Sequence, residues 1–315
     1  MAIKTHLQPL STIVVKPVDW LFYPYIPYGK VTVIQGDTCS GKTALALDIA
    51  MRVSRGLPMP ESDRPTSKGH VIYQNVEDGY ADTIKQRLDN AGADCDCISF
   101  INDPDQALRL DSPELLYHVK ESSAKLLIID PIQGFCANRD MNRANDIRPL
   151  MRSLSNMADE TGCAVVLIGH MNKAARMKML YRGLGSIDFV SAARSVLLVT
   201  RQSTESSLRV MAQLKNNLTQ QGESLAFEIT DEGCIDWQGE IDTTVDNLLC
   251  GDKQSKGKMA CDIITELLKI GPVHSQAIFD ACSEMGIGKR TVNAAKQHLG
   301  IKTKRICDQW VWELP

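Results

Sequence analysis

Short apolar runs alternate with longer helical patterns along the first part of the chain. Residues 30–35 are β-branched and predict a buried strand, while the Ala- and Leu-rich residues 44–51 predict a helix. This alternation favours an α/β fold with a mostly parallel central sheet. Further predicted strands are 70–76, 97–101, 125–130 and 163–170, and further predicted helices are 80–92, one that opens at Ser112-Pro113-Glu114, and 143–161.

The pattern changes after residue 193. Three strands are predicted at 194–200, 208–214 and 225–229, with a polar hairpin tip at 215–222. A polar, glycine-containing segment at 238–257 is typical of a linker. Three predicted helices (259–269, 275–285 and 288–299) and an alternating pattern over 301–314 then follow the plan of a winged helix.

These patterns divide the chain into four parts. They are a lead-in at 1–29, a large α/β domain at 30–237, the linker at 238–257 and the small domain at 258–315. Residues 19–28 hold five aromatic residues and two prolines, a composition that excludes a helix. We expect an extended strap that lies on the core or on a neighbouring subunit, with Trp20 and Tyr23 either packed on protein or stacked on an adenine.

Composition narrows the class of protein only slightly. With 315 residues, 43% hydrophobic and 23% charged, the chain resembles an ordinary globular protein of one large and one small domain. Apolar runs are too short to span a bilayer, the first residues lack a secretory signal, and the ten cysteines are scattered without zinc-like spacing. We therefore expect a cytoplasmic protein with free thiols and no membrane partner.

The strongest motif is Gly36-Asp37-Thr38-Cys39-Ser40-Gly41-Lys42-Thr43, which fits G-x-x-x-x-G-K-[ST] between a predicted strand and a predicted helix. The glycines let backbone N–H groups turn inward around phosphate oxygens, and the helix, from Ala44 onward, adds its positive dipole end. Lys42 would reach the β- and γ-phosphates, and the Thr43 hydroxyl would bind Mg²⁺. The motif predicts a site for a nucleoside triphosphate with Mg²⁺.

Polar side chains end three of the predicted strands, where ligands bind in open α/β sheets. Glu77 is a candidate general base for the attacking water, whereas Asp78 is the candidate for capping the next helix. Asp130 ends the strand 125–130 and would hold Mg²⁺ together with Thr43. His170 would contact the γ-phosphate, or be a histidine that is satisfied within the fold.

Basic residues mark two further segments. The stretch between His170 and Phe189 is rich in lysine and arginine and predicts either a loop that lines a channel for single-stranded DNA or a surface loop. From Lys253 onward the chain carries +4 formal charge, against −7 for the remainder. The predicted winged helix could use this charge to bind duplex DNA, although such domains also bind proteins.

Taken together, the segments GDTCSGKT, LLIIDP, VVLIGHMNK and YRGLGSIDFVSAARSVLLV, with the strand that ends at Glu77-Asp78, resemble the RecA-like ATPases of the RepA type. These are hexameric, helicase-like proteins of plasmids, phages and mobile elements, often described as RadA-like. The resemblance implies a RecA-like core, a ring of identical subunits and ATP hydrolysis between subunits. It implies Lys42, Glu77, Asp130 and His170 as catalytic residues.

The resemblance also implies a basic finger from the neighbouring subunit. Arg194 and Lys215 are the candidates, and Asn217 stands where related helicases often have an arginine, which favours Arg194 or Lys215 alone. The expected function is an ATP-driven motor acting on DNA in replication, recombination or repair. The alternatives are a nucleotide-switched loader that does not unwind DNA and a regulator that uses the small domain to bind DNA.

Overall fold

Two units make up the chain in the computed structural model, Met1–Val245 and Asp246–Pro315. The structure describes residues 7–105, 108–136, 139–141, 143–170, 187–203, 206–243, 245, 248, 251–269, 271–306 and 309–313. Most of the predicted basic loop between His170 and Phe189 lies outside these residues. Within the described ranges, no helix combines the length and the hydropathy needed to cross a bilayer.

The lead-in contains regular structure that the sequence did not predict. A 3₁₀ turn covers Leu10–Thr12, and a small antiparallel hairpin pairs β1 (Trp20–Phe22) with β2 (Ile26–Pro27). The expected extended strap therefore lies on the core, but it folds back on itself as a hairpin at residues 20–27. Aromatic packing stabilises this hairpin, since Phe22 and Tyr25 are buried and their ring centroids lie 4.7 Å apart.

A nine-stranded sheet forms the centre of the first unit, in the order β11-β10-β9-β8-β3-β7-β6-β4-β5. The six strands from β8 to β5 are mutually parallel, and β9, β10 and β11 continue the sheet antiparallel. The predicted α/β fold with a mostly parallel sheet is confirmed. The strands are β3 (Val31–Gly36), β4 (Val71–Asn75), β5 (Ile98–Ser99), β6 (Leu126–Asp130), β7 (Ala164–His170), β8 (Ser195–Arg201), β9 (Arg209–Asn216), β10 (Ser224–Ile229) and β11 (Ile235–Ile241).

Helices cover both faces of this sheet. They are α1 (Lys42–Arg55), α2 (Lys85–Asn90, after a π-helical turn at Tyr80–Ile84), α3 (Pro113–Glu121), α4 (Ala144–Thr161) and α5 (Ile187–Ala192). Successive strand residues point to opposite faces, so Val33 packs in the layer beneath α4 and Ile34 in the layer beneath α1. Burial on both faces explains why these strands consist of continuous apolar runs.

The predicted strand 97–101 and the predicted linker 238–257 both need correction. Cys95–Cys97 form a 3₁₀ turn, so that β5 is only two residues long. Strand β11 continues to Ile241, and the next helix already begins at Gly251. The sequence hides β11 because it is a half-exposed edge strand, and Gly239, with φ of +85°, lies where its register with β10 shifts.

The second unit has its own small core. Helices α6 (Gly251–Leu268), α7 (Ser275–Glu284) and α8 (Lys289–His298) precede the hairpin of β13 (Lys302–Ile306) and β14 (Gln309–Glu313). The short strand β12 (Val273–His274) pairs with β14, which makes the sheet three-stranded. The core residues include Ile264, Ile278, Val292 and Trp312.

Candidate nucleotide site

The phosphate loop connects β3 to α1. Gly41 is the N-cap of α1 and has φ of +101°, which glycine adopts without the strain that other residues would bear. A Cβ atom on Gly36 would lie 2.1 Å from the carbonyl oxygen of Val199 on β8 and 2.8 Å from Ser40 Oγ. Glycine is therefore required at both motif positions, at Gly41 by conformation and at Gly36 by the closeness of β8.

The residues between the two glycines form an exposed turn. Asp37, Thr38 and Cys39 are exposed, and the backbone of Cys39 has φ of +61°. Ser40 is buried, and its hydroxyl has no hydrogen-bond partner among the described residues. Helix α1 begins at Lys42, so Ala44 lies in its first turn, where backbone N–H groups are available to a ligand.

Lys42 is folded back onto the loop. Its ammonium group donates hydrogen bonds to the carbonyl oxygens of Gly36 (3.0 Å) and Asp37 (2.7 Å), and the residue is only 4% exposed. Burial lowers the pKa of Lys42, while Asp130 and Asp37 act in the opposite direction. In a nucleotide complex, phosphate oxygens would take the place of these carbonyl oxygens. Phosphate oxygens are charged, so they form stronger hydrogen bonds with an ammonium group than neutral carbonyls do.

Asp130 joins the phosphate loop to the middle of the sheet. Its Oδ2 accepts hydrogen bonds from Thr43 Oγ1 and from the Tyr73 hydroxyl, each 2.8 Å long. Burial raises the pKa of the Asp130 carboxyl group, and the two hydrogen bonds partly offset this. Tyr73 was missed by the sequence analysis, because only the pairing of β4 with β6 reveals that it lies beside Asp130.

Thr43 and Asp130 suit a magnesium ion. Their oxygen atoms are adjacent, and oxygen is the ligand that Mg²⁺ prefers. Among the described residues there is no group of three His, Cys, Asp or Glu side chains that could hold a metal by itself. In nucleotide sites Mg²⁺ takes its other ligands from phosphates and water.

Glu77 and His170 lie together at the same edge of the sheet. His170 ends β7 directly opposite Gly36 on β3, and its Nε2 is 3.7 Å from Glu77 Oε2. His170 Nδ1 is buried and has no hydrogen-bond partner in the described part of the chain. Glu77 is held in a turn, because its backbone N–H donates to Asn75 Oδ1 over 3.0 Å.

Asp78 does not cap the following helical turn. The N-cap position of the turn Tyr80–Ile84 is Gly79, and no described side chain caps it. Asp78 instead faces Arg87, at 3.9 Å between carboxylate and guanidinium. Of the two neighbouring acids, the one that meets His170 is therefore Glu77.

Arg194 and Lys215 lie at the opposite edge of the sheet. Arg194 precedes β8, whose first residue Ser195 pairs with Thr32 near the start of β3, whereas the phosphate loop follows the end of β3. Lys215 donates to the carbonyl oxygens of Val190, Ser191 and Ala193 over 2.8–2.9 Å. Arg194 is exposed, so it is the freer of the two candidates for contact with a second subunit.

An arginine that the sequence analysis missed lies beside the phosphate loop. The Arg209 side chain at the start of β9 packs against Gly41, since a Cβ atom on Gly41 would lie 2.8 Å from Arg209 Cδ. No motif marks Arg209. The antiparallel pairing of β9 with β8 brings it to this edge.

With this geometry established, comparison with known families is decisive. A family model described as an AAA domain matches residues 10–176. The chain belongs to the AAA domain family. The match spans the phosphate loop, Glu77, Asp130 and His170, and it ends before Arg194. This AAA domain supports the predicted nucleotide-binding and ATPase assignments.

Two solved structures resemble this AAA-domain protein in part. A KaiC-like protein from the hyperthermophilic archaeon Pyrococcus horikoshii is 18% identical, with a TM-score of 0.49 over 67% of this chain and 90% of that protein. The RadB recombinase is 17% identical, with a TM-score of 0.48 over 67% of this chain and 91% of that protein.

Proposed function

We propose that this protein is a RecA-like, ring-forming ATPase that acts on DNA. The observation that carries the proposal is the convergence of Lys42, Thr43, Asp130, Glu77 and His170 at one edge of the parallel sheet. Each has the chemistry that phosphoryl transfer from ATP requires, and the phosphate loop lies between them.

Each side chain has a separate part in the proposed hydrolysis. Glu77 accepts a hydrogen bond from the attacking water and orients it toward the γ-phosphorus. Lys42 neutralises charge on the phosphate oxygens, and His170 hydrogen-bonds at the γ-position. Thr43 and Asp130 would hold Mg²⁺, which supplies further charge neutralisation.

Replacing Glu77 tests this proposal directly. Glu77→Gln removes the carboxylate that orients water and keeps the size of the side chain, so it should bind ATP and lose hydrolysis. Asp78→Asn is the matched control, because it changes a neighbouring carboxylate that faces Arg87. Equal hydrolysis by wild type and Glu77→Gln would remove Glu77 from the mechanism.

Assembly into a homo-oligomer is proposed from the lead-in. The segment 7–18, which we call the apolar arm, exposes Leu7, Leu10, Ile13, Val14, Val15 and Val18, with Leu7 101% and Val15 90% exposed. Soluble monomers rarely expose so many apolar side chains in one segment. We assign the arm to a second copy of this chain, since its side chains do not lie on the core of their own subunit. A hexameric ring is the proposed product of this contact.

Sedimentation of the full chain and of a variant lacking residues 2–18, each with and without ATP and single-stranded DNA, tests this assignment. The full chain should form the larger particle. Equal masses under every condition would exclude the arm as an assembly contact.

Arg194 is the proposed finger in this assembly. Glu77→Gln and Arg194→Ala should each be inactive alone, but mixing the two variants should restore activity. About a quarter of the interfaces in a random one-to-one mixture would pair an intact Glu77 with an intact Arg194. Lys30→Ala is the control, because Lys30 is a cation at the same edge and pairs with Asp159 over 2.7 Å. Mixtures that stay inactive would refute a finger in trans.

The second unit is proposed to bind duplex DNA as a winged helix. Lys289 and Arg290 are exposed at the start of α8, and Trp310 on the hairpin is 57% exposed. The double variant Lys289→Glu with Arg290→Glu should weaken duplex binding by the full chain and reduce its salt dependence. Lys269→Glu is the control, since Lys269 pairs with Glu266. Equal affinities would assign the unit to protein contacts.

A strand-separation assay distinguishes the motor from the nucleotide-switched loader. A motor should unwind a forked duplex in the presence of ATP, with single-stranded DNA in the ring channel. ATP-dependent DNA binding without unwinding would favour the loader.

A further inference from the structure

We propose that Arg209 binds the nucleotide of its own subunit by contacting the α- and β-phosphates, which are the phosphates nearer the nucleoside. This inference rests on the proposed binding of ATP at that loop. It adds a residue that no sequence motif marks, on the side of the loop opposite the catalytic carboxylates.

The first argument is position. Arg209 begins β9 and pairs with Arg201 at the end of β8, which runs parallel to β3. Its aliphatic carbons pack against Gly41, whose Cβ atom would lie 2.8 Å from Arg209 Cδ and 3.2 Å from Arg209 Nε. The guanidinium group therefore lies at the base of the loop, next to the N-terminus of α1.

The second argument comes from hydrogen bonding. Arg209 Nη1 donates to the carbonyl oxygen of Ser207 over 2.8 Å, while Nε is buried without a partner among the described residues. A buried donor on a charged group is costly to leave unpaired. Phosphate oxygens are acceptors that the guanidinium group can bind with two N–H groups at once.

The third argument is local charge. Burial and the neighbouring Arg201 both lower the pKa of Arg209, and Glu228 acts in the opposite direction. The Glu228 carboxylate also accepts a hydrogen bond from the Ser207 hydroxyl. A phosphate bound at the loop would therefore stabilise the charge of Arg209 against the repulsion from Arg201.

Sheet order indicates which phosphates Arg209 would reach. Glu77, Asp130 and His170 follow or end β4, β6 and β7, on one side of β3. Arg209 is on β9, on the other side. The γ-phosphate lies toward Glu77 in the proposed mechanism, so the α- and β-phosphates lie toward Arg209. These groups are common to ATP and ADP, and a contact to them strengthens binding without selectively stabilising the transition state.

Equilibrium binding of ATP and ADP to the full chain tests the proposal. Arg209→Gln should weaken both nucleotides by the same factor, about 10- to 100-fold for a lost charged hydrogen bond. Arg209→Lys should recover part of this loss, and kcat at saturating ATP should stay within about twofold of wild type. Arg201→Gln is the control and should leave both affinities within about threefold, because Arg201 is exposed and pairs in register without packing on Gly41.

Four results would overturn the inference. Unchanged affinities in Arg209→Gln would remove Arg209 from the site. A loss for ATP without a loss for ADP would place Arg209 at the γ-phosphate, and a fall in kcat at unchanged affinity would make it a catalytic finger. Competition of inorganic triphosphate with bound nucleotide distinguishes a phosphate contact from a nucleoside contact. If inorganic triphosphate competes equally well in wild type and Arg209→Gln, Arg209 contacts the nucleoside.

The same measurements keep this inference separate from the proposed function. A wild-type protein that binds neither ATP nor ADP would refute the proposed function itself. A wild-type protein that binds both, with affinities unchanged in Arg209→Gln, would refute only the role of Arg209. Thermal melting shows whether Arg209→Gln is folded, and a binding loss in Arg209→Gln that Arg209→Lys does not share confirms a need for the charge.

Discussion

The hydroxyl of Tyr73 is the most informative single group to remove. It is buried beneath the phosphate loop and donates a 2.8 Å hydrogen bond to Asp130 Oδ2, which also accepts from Thr43. Tyr73→Phe keeps the ring and deletes this bond. A hydrogen bond to a charged group contributes about 1.5–3 kcal/mol, and loss of a partner of a metal ligand lowers metal affinity or activity about 10- to 100-fold.

The direction of the pH effect follows from the same contact. The Tyr73 hydrogen bond lowers the pKa of Asp130, against the larger upward effect of burial. Removing this hydrogen bond raises the pKa of Asp130 further. As the pH is lowered, Tyr73→Phe should therefore lose hydrolysis at a higher pH than wild type does. The variant should also need more Mg²⁺ for half-maximal activity.

Hydrolysis rates measured against free Mg²⁺ and against pH provide the assay. Tyr25→Phe is the matched control, since the buried Tyr25 hydroxyl donates over 2.6 Å to the carbonyl oxygen of Glu223 and does not contact Asp130. Both variants should lose some stability, but only Tyr73→Phe should shift the two activity profiles. Identical profiles for wild type and Tyr73→Phe would refute the role given to Asp130.

Three further predictions follow from the same geometry. Gly36→Ala should lower the free energy of unfolding by more than the usual cost of overpacking, about 1–3 kcal/mol, because its Cβ atom would lie 2.1 Å from a backbone oxygen. Gly257→Ala in α6 should raise the free energy of unfolding by about 0.5–1 kcal/mol, because no atom lies within 4 Å of its Cβ position. Denaturant titration measures both changes. Lys215→Ala should lower the melting temperature because three carbonyls lose their donor, and a loss of turnover at unchanged stability would instead make Lys215 a finger. Asp130→Asn should raise the melting temperature at pH 7 and abolish hydrolysis. Burial raises the folded-state pKa of Asp130 above its ordinary value of 3.8, so the carboxyl group favours folding at low pH and this contribution is lost as pH rises through the folded-state pKa. A melting temperature at pH 7 below that of wild type would contradict this account.

The residues that the sequence located are those that end apolar strands or follow a glycine pattern. The carboxyl ends of parallel strands meet at one edge, so Glu77, Asp130 and His170 could be placed near Lys42 from their order along the chain. The structure brings all four to this edge. A local pattern sufficed here because the strand supplies both the position and the direction of the side chain.

Residues whose role depends on strand pairing could not be found this way. Tyr73 occupies an apolar run and looks like core, and its link to Asp130 depends on the register of β4 with β6. Arg209 and Lys215 share β9 but lie at opposite ends, one beside the phosphate loop and the other on carbonyl groups near α5. The sequence of one strand does not reveal which other elements lie beside each of its two ends. The edge strand β11 was missed although Ile235, Trp237 and Ile241 alternate with polar residues, because Gly239 interrupts this short pattern and is typical of a linker.

Arg194 and the phosphate loop lie at opposite ends of neighbouring strands, and this distance limits what Arg194 can do at the loop of its own subunit. Strand β3 is six residues long, so Arg194 and the phosphate loop lie about 17 Å apart at ~3.3 Å per residue. Two unit charges at that distance interact by roughly 1 kcal/mol at an effective dielectric constant of 20. A finger that accelerates hydrolysis 10³- to 10⁵-fold must stabilise the transition state by about 4–7 kcal/mol. If Arg194 is the proposed finger, it reaches that value only by touching phosphate. Arg194 lies at the far end of β3 from its own loop, so that phosphate would have to belong to a second copy.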